Sequence, residues 1–194
     1  DIEDLIPVEE SVLTLTSCGY IKRQAADVYK TQRRGGRGIM GMQTRDEDVP
    51  ETMFLCSSHD YVMFFTSAGR VYRLKRYEVP EGSRTSKGVN VVNLLPLQAE
   101  EKVTAMIHVS EFEEDRYLCM VTRQGIIKRT RLNAYQNARK NGLIAIDLDE
   151  GDELAWVRVT DGYQKLMVGT RKGMAICFDE NDARVVGRTA RGVK

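Results

Sequence analysis

The chain has 194 residues, 42% of them hydrophobic, and its 29 lysines and arginines against 28 aspartates and glutamates give a formal charge of +1. That length supports a sizeable core in one large all-β domain or two smaller ones, and the near-neutral balance by itself assigns no partner. Apolar runs stay well short of the roughly 18 residues a membrane helix needs, so no membrane partner is expected. No charged-then-apolar leader opens the chain, and the start at Asp1-Ile2-Glu3-Asp4 reads as a cut from something longer.

In chain order, the first predicted hairpin joins residues 12–16 to 20–23 through Thr16-Ser17-Cys18-Gly19. A basic, glycine-rich stretch follows, then a strand at 39–43. The second hairpin joins 61–66 to 70–75 through Thr66-Ser67-Ala68-Gly69, and a strand follows at 89–94. The third joins 117–122 to 126–130 through Thr122-Arg123-Gln124-Gly125, with a strand at 143–148. The fourth joins 166–170 to 174–178 through Thr170-Arg171-Lys172-Gly173, and the chain ends where its next strand would begin. Apolar, strand-forming runs joined by short glycine turns carry each assignment. Residues 25–30 and 132–136 read as loops that can hold a short helical turn.

These elements form a repeat. The turn glycines Gly19, Gly69, Gly125 and Gly173 stand 50, 56 and 48 residues apart, and a second glycine follows each by 19, 19, 17 and 19 residues, at Gly38, Gly88, Gly142 and Gly192. A period near fifty with two turn signals is the pattern of a blade in a propeller-like array. The approximate repeats are 1–51, 52–104, 105–155 and an incomplete 156–194. Two positions after each turn glycine stand Ile21, Val71, Ile127 and Ala175, a core-facing set. Four after it stand Arg23, Arg73, Arg129 and Cys177, which a flat strand would place on the same face. Either a twist or bulge separates the two sets, or the arginine stems snorkel.

Charge is sorted by position within the period. Basic residues gather before each second glycine, and acidic clusters at 46–48, 111–115, 147–152 and 179–182 fall elsewhere, so stacked repeats would present a basic track and a separate acidic rim. Cys18, Cys56, Cys119 and Cys177 lie far apart with no C-x-x-C pair, which reads as buried free thiols in a reducing, bacterial-type cytoplasm. His59 and His108 share no ligand spacing with them. Asp147, Asp149, Glu150 and Asp152 lack the glycine and glutamate that a Ca²⁺ loop requires and read as a solvated loop.

The densest cationic segment is Gln32-Arg33-Arg34-Gly35-Gly36-Arg37-Gly38. Its arginines offer planar donor forks for phosphate oxygens, and its glycines let backbone N–H groups approach an anionic chain. A solvated basic loop accounts for this one segment equally well. The other repeats favour binding, because Arg84 and Lys87, Arg139 and Lys140, and Arg188 and Arg191 stand at or within one position of the same phase. A basic pair on successive blades makes a curved stripe suited to a bent duplex gripped by its phosphates without base reading.

The segment resembles the gyrase box of the DNA gyrase A C-terminal domain, whose usual form has lysine where this chain has Arg37. The Gly19-Tyr20-Ile21-Lys22-Arg23 turn and the degenerate downstream copies are also similar to that domain. The resemblance covers essentially the whole chain. It implies an all-β fold, a β-pinwheel of four-stranded blades that exchange strands, with six blades in the family against about four repeats here. Whether the array closes or forms an open arc stays open. It also implies a non-catalytic domain that wraps duplex DNA, independently of sequence, on its outer edge.

In the family the parent is an ATP-dependent type II topoisomerase, an isomerase assembled from gyrase A and gyrase B, which uses ATP and Mg²⁺ at sites elsewhere. No cofactor is expected in this domain, and localisation is expected to be cytoplasmic and nucleoid-associated. The residues agree with a non-catalytic role. There is no G-x-x-x-x-G-K-[ST] loop or Ser/His/Asp set, and the tyrosines, Tyr163 among them, read as packing residues. The homologous domain of topoisomerase IV, a propeller scaffold for proteins and a propeller enzyme are the competing readings. The intact glycine pair and three arginines favour gyrase over topoisomerase IV, the phased basic residues disfavour a scaffold, and no catalytic set supports an enzyme.

Overall fold

The computed structural model describes residues 1–26, 48–169 and 175–194. Among them the regular structure is β-strand interrupted by short 3-10 turns. No helix there is long and apolar enough to cross a membrane.

The strands of the predicted hairpins are present among the described residues, while the fourth turn, Thr170-Arg171-Lys172-Gly173, and the strand expected at 39–43 lie outside them. Strands β1 (Glu10–Thr16) and β2 (Tyr20–Ala25) pair antiparallel in continuous register from Ser11↔Ala25 to Leu15↔Ile21. After β3 (Pro50–Ser57), strands β4 (Tyr61–Thr66) and β5 (Arg70–Lys75) form the second hairpin. Next come β6 (Val89–Asn90) and β7 (Val103–Val109), and then the third hairpin, β8 (Tyr117–Thr122) with β9 (Ile127–Arg131). Strands β10 (Leu143–Ile144) and β11 (Leu154–Thr160) precede the fourth hairpin, β12 (Lys165–Gly169) with β13 (Ala175–Asp179).

The Thr-x-x-Gly cassette is explained by hydrogen bonding. The amides of Gly19, Gly69 and Gly125 each donate to the carbonyl of the threonine three residues earlier, at 3.0 Å. The hydroxyls of Thr16 and Thr122 also accept from the amides of Tyr20 and Ile126, both at 3.1 Å. Each turn glycine holds a positive φ, 84°, 75° and 87° in turn, a region closed to most side chains.

Strand exchange builds the sheets, whose orders are β3-β1-β2-β6, β10-β5-β4-β7, β11-β8-β9 and β12-β13. The short strand after a second glycine does not extend its own repeat. Instead β6 pairs with β2 (Tyr20↔Asn90, Ile21↔Val89), β10 pairs with β5 (Leu143↔Val71), and Val193 bridges Ile127. These strands are shorter than the expected 89–94 and 143–148. The Asn90 side chain accepts from the Val92 amide and starts a 3-10 turn, Val91–Asn93. In the next copy the amides of Ala145 and Ile146 both turn to the Gly69 carbonyl.

Strands β3, β7 and β11 flank the first strands of their hairpins, β1, β4 and β8, and were not anticipated. Each is fastened to a hairpin turn by the residue before or at its start: Ser17 N–H donates to Val49 O, Ser67 N–H to Lys102 O and Arg123 N–H to Glu153 O, all at 2.8–2.9 Å.

The chain forms two compact units, one of residues 1–63, 73–99 and 108–110, the other of residues 64–72, 100–107 and 111–194. In the first, Leu13, Ile21, Val62, Met63 and Val79 are wholly buried. In the second, Phe64, Phe65, Val71, Leu118, Met120 and Leu154 are, and the Phe65 and Tyr135 rings pack edge to face at 6.2 Å. Each such side chain contributes about 1.5–3 kcal/mol through burial.

The question raised by the arginines is answered without a bulge in the β1–β2 and β8–β9 pairings that carry Arg23 and Arg129, whose registers are continuous. Ile21 and Val71 are buried as expected, whereas Ile127 is half-buried and Ala175 exposed. The arginine heads are tethered: Arg23 Nε donates to Val79 O at 2.9 Å, Arg73 lies 4.5 Å from the Tyr61 ring centroid, and Arg129 pairs with Glu180 at 3.2 Å. Cys56 and Cys119 are buried free thiols, whose pKa values burial pushes up to about 12 and about 11. Cys18 and Cys177 are exposed, because Cys18 sits in a turn and Cys177 on an outward position of β13. Tyr163, expected to pack, is 89% exposed.

Candidate nucleic-acid interface

The loop ending at Gly88 is laid along the hairpin strand of the preceding repeat. Arg23 N–H donates to Pro80 O, Gly82 N–H donates back to Arg23 O, and Arg23 and Glu81 form a parallel bridge. Beneath the loop, Lys22 is 1% exposed, and its Nζ donates to the carbonyls of Ser83, Arg84 and Ser86 at 2.8, 3.2 and 2.9 Å. Burial lowers the Lys22 pKa to about 8. Gly88 closes the loop at a φ of 90°, with the place of a Cβ filled by the Ile21 carbonyl and the Lys22 stem, so no larger residue fits there.

The loop ending at Gly192 repeats this construction. Val186 N–H donates to Arg129 O, Arg129 and Val185 form a parallel bridge, and Val193 exchanges two hydrogen bonds with Ile127. Lys128, also 1% exposed, donates to Ala145 O at 2.7 Å and to Arg188 O. Burial first and then the Arg188 charge lower its pKa to about 7, against a smaller opposing effect of Asp147.

The loop ending at Gly142 has the same seat with different contents. The residue beneath it is Tyr72, whose ring edge a Cβ at Gly142 would meet at 2.7 Å and whose hydroxyl donates to Glu101 at 2.9 Å. Burial, then that hydrogen bond, raises the Tyr72 pKa.

The predicted basic pairs fare differently. Arg84, Arg139 and Lys140 are exposed, and among the described residues none of the three side chains has a hydrogen bond or ion pair. Lys87 is half-buried, its Nζ 4.5 Å from the Tyr20 ring centroid. Arg188 donates to Ile144 O at 2.5 Å, and Arg191 holds Asp149 in a two-pronged pair at 2.5 and 2.7 Å. Gln32, Arg33, Arg34, Gly35, Gly36, Arg37 and Gly38 lie outside the described residues.

The acidic positions are more than a solvated rim. Asp48, Glu101 and Asp152 each stand one residue before a clamp onto a hairpin turn, and each is buried. Asp48 accepts from Ser17 Oγ and Cys18 N–H, Glu101 from Thr66 Oγ1 and the Tyr72 hydroxyl, and Asp152 from the amides of Gln124 and Glu153. Sequence reading missed Lys22 and Lys128 as well. The available signal was their phase, three residues after a turn glycine, where Tyr72 also stands.

A repeated blade that lends a short strand to the preceding hairpin, and carries a basic loop over that hairpin, defines a strand-exchanging β-pinwheel. The family model described as "DNA gyrase C-terminal domain, beta-propeller" matches residues 10–56, 60–110, 116–161 and 164–194, and the chain belongs to that family. DNA gyrase A of Clostridium acetobutylicum is 52% identical over 194 residues, covering 100% of this chain and 23% of the relative. That of Halalkalibacterium halodurans is 52% identical over 192 residues, covering 99% and 23%. The chain thus spans under a quarter of the curated relatives it matches.

Among solved structures, the C-terminal domain of DNA topoisomerase IV superposes with a TM-score of 0.81 at 29% identity, covering 97% of this chain and 57% of that one. A DNA gyrase A C-terminal domain superposes at 0.69 and 23% identity, covering 95% and 59%, a likeness of fold.

Proposed function

We propose that this chain binds duplex DNA by its phosphates and bends it across successive basic loops. The carrying observation is the shared seat of the loops ending at Gly88, Gly142 and Gly192, which places Arg84, Arg139 and Lys140 on exposed, backbone-anchored turns. Family membership and the 52% identity to gyrase A support the wider reading. In it the domain is part of a gyrase A that works with gyrase B, and wrapping sets the crossing that ATP- and Mg²⁺-dependent strand passage converts into negative supercoils. The box at Gln32, Arg33, Arg34, Gly35, Gly36, Arg37 and Gly38 would anchor one end of the wrap.

A titration of duplex DNA at several salt concentrations tests the binding mode. Affinity should be nearly independent of base sequence, and its log-log salt slope should be about −0.9 per phosphate neutralised. A flat salt response, as expected of a protein-binding scaffold, overturns it. Replacing Arg33, Arg34 and Arg37 by alanine should lower the slope by roughly 2 to 3 units. In the whole enzyme that variant should lose supercoiling and keep relaxation. The 0.81 superposition favours topoisomerase IV as the second reading, and a whole enzyme that relaxes but never supercoils would select it.

A further inference from the structure

The geometry points to Lys22 and Lys128 as positioning residues that clamp the basic loops of the following repeats, a role that rests on the phosphate-binding reading of those loops.

Lys22 lies under the loop that ends at Gly88. The stretch from Ser83 to Ser86 contributes no strand, and three of its carbonyls turn inward. An ammonium group carries three donors and no acceptor, which matches three converging carbonyls. The lysine thus closes around the backbone on either side of Arg84 and directs that side chain away from the cage. Within the loop, Ser86 N–H and Ser86 Oγ both bond to Ser83, so the turn is already compact when the lysine reaches it. Gly88 completes the fit, since its bare Cα lets the loop descend onto the Ile21 carbonyl and the Lys22 stem.

The second occurrence is independent. Lys128 stands at the same phase, is equally buried, and donates to the carbonyl of Arg188, the repeat counterpart of Arg84. Gly192 fits against the Ile127 carbonyl and the Lys128 stem as Gly88 fits against Ile21 and Lys22. A buried lysine turned twice toward the carbonyl of the same loop arginine is difficult to explain as core filling. A methionine would fill that space without the cost of burying a charge.

The test separates clamping from stability and from DNA binding. In the full chain, Lys22→Met should speed amide hydrogen exchange across 82–88 about tenfold, the effect expected when part-buried carbonyls lose their donor. Its Tm at pH 7 should fall little, because removal of a buried charge offsets the carbonyls left without a donor. Lys22→Arg, which keeps charge and donors, should restore at least part of the protection. Equal exchange in the methionine and arginine variants, or exchange unchanged from the original, overturns the clamp. A Tm lowered together with faster exchange throughout the chain overturns it too, by making the lysine an ordinary core residue.

Lys128→Met should act in the same way on 187–192 and leave 82–88 untouched, and spread of its effect to both loops counts against the proposal. Should Lys22→Met not fold, Gly88→Ala lifts the same loop while leaving the lysine in place, and unchanged exchange there removes the seat the clamp requires. With DNA, Lys22→Met should reduce the salt slope by about 1 to 2 units through Arg84 and Lys87. If the original chain shows no DNA binding while Lys22→Met still speeds exchange, the clamp stands and the proposed function falls.

Discussion

The loop over Lys22 and the loop over Tyr72 occupy one place in successive repeats, and the contrast between them separates what the fold requires from what the interface adds. Both need a glycine at the end of the loop, at a φ of 90° for Gly88 and 89° for Gly142. Both send the next two residues into a short exchanged strand. Beneath the first, a cation gathers loop carbonyls; beneath the second, a ring supports the glycine and passes its hydroxyl to Glu101. The exchanged strand and glycine therefore build the blade, and the residue three positions after the turn glycine decides how the loop is held.

The largest effect should come from putting a methyl group at these glycines, and it should differ between them. At Gly88 a Cβ meets the backbone carbonyl of Ile21, which is fixed in the β1–β2 and β2–β6 pairings. At Gly142 it meets the edge of the Tyr72 ring, 2.7 Å away, and a ring can shift. Gly88→Ala should cost upwards of about 2 kcal/mol from strain and collision, and Gly142→Ala less, with about 1 kcal/mol of the cost from φ alone. Chemical denaturation of the two variants measures the difference. Equal losses would show that the ring is as immovable as backbone.

A smaller effect concerns the hydroxyl under the second loop. Tyr72→Phe removes a donor from the buried carboxylate of Glu101, which keeps Thr66 Oγ1 at 2.6 Å. The expected loss is about 1.5–3 kcal/mol, the usual range for a hydrogen bond to a charged group. Exchange across 139–142 should stay unchanged, because the ring, not the hydroxyl, supports Gly142. Faster exchange there would mean that the second loop is also held by polar contacts from below.

The two lysines should also leave a signature in pH. Unfolded lysine keeps its proton to about pH 10.4, whereas burial lets Lys22 release it from about 8 and Lys128, facing Arg188 and Asp147, from about 7. Between those limits the unfolded chain binds more protons, so the contribution of these groups to unfolding free energy rises with pH. Tm of the original chain should therefore climb relative to Lys128→Met between pH 7 and 10, and less steeply relative to Lys22→Met. Parallel Tm curves would show that both amines stay protonated in the fold.

Much of this architecture was legible because it is local. Thr-x-x-Gly announces its turns through hydrogen bonds made within five residues, and the hairpins on either side follow from strand-forming runs. Strands β6 and β10 were placed but drawn too long, since their length is set by how many residues find a partner on a hairpin far back in the sequence. Strand β3 was missed because one of its faces is largely exposed: Met53 and Leu55 face outward, and Pro50 opens it.

The basic loops were visible as charge at a fixed phase. Lys22 and Lys128 were not, because only a loop arriving some sixty residues later buries them. Nor could phase reveal that Arg188 and Arg191 are engaged with the protein itself, that Asp48 and Asp152 brace turns instead of forming a rim, or that Glu101 does the same.

The smallest expected effect lies in that last distinction among arginines. Arg139 has no ion pair among the described residues, whereas Arg191 is held by Asp149 through two charge-assisted hydrogen bonds, which lower the Asp149 pKa and raise that of Arg191. A phosphate approaching Arg139 gains a cation at no internal cost. One approaching Arg191 must displace a carboxylate or share the guanidinium with it, and the carboxylate repels the phosphate. Arg139→Ala should thus weaken DNA binding and lower the salt slope by nearly one unit, and Arg191→Ala by clearly less. Asp149→Ala should do the opposite and tighten binding, while Tm changes little in all three because the groups are exposed. If Asp149→Ala weakens binding instead, the pair is what aims Arg191 at the duplex, and Asp149 belongs with the lysine clamps as a device that positions a cation.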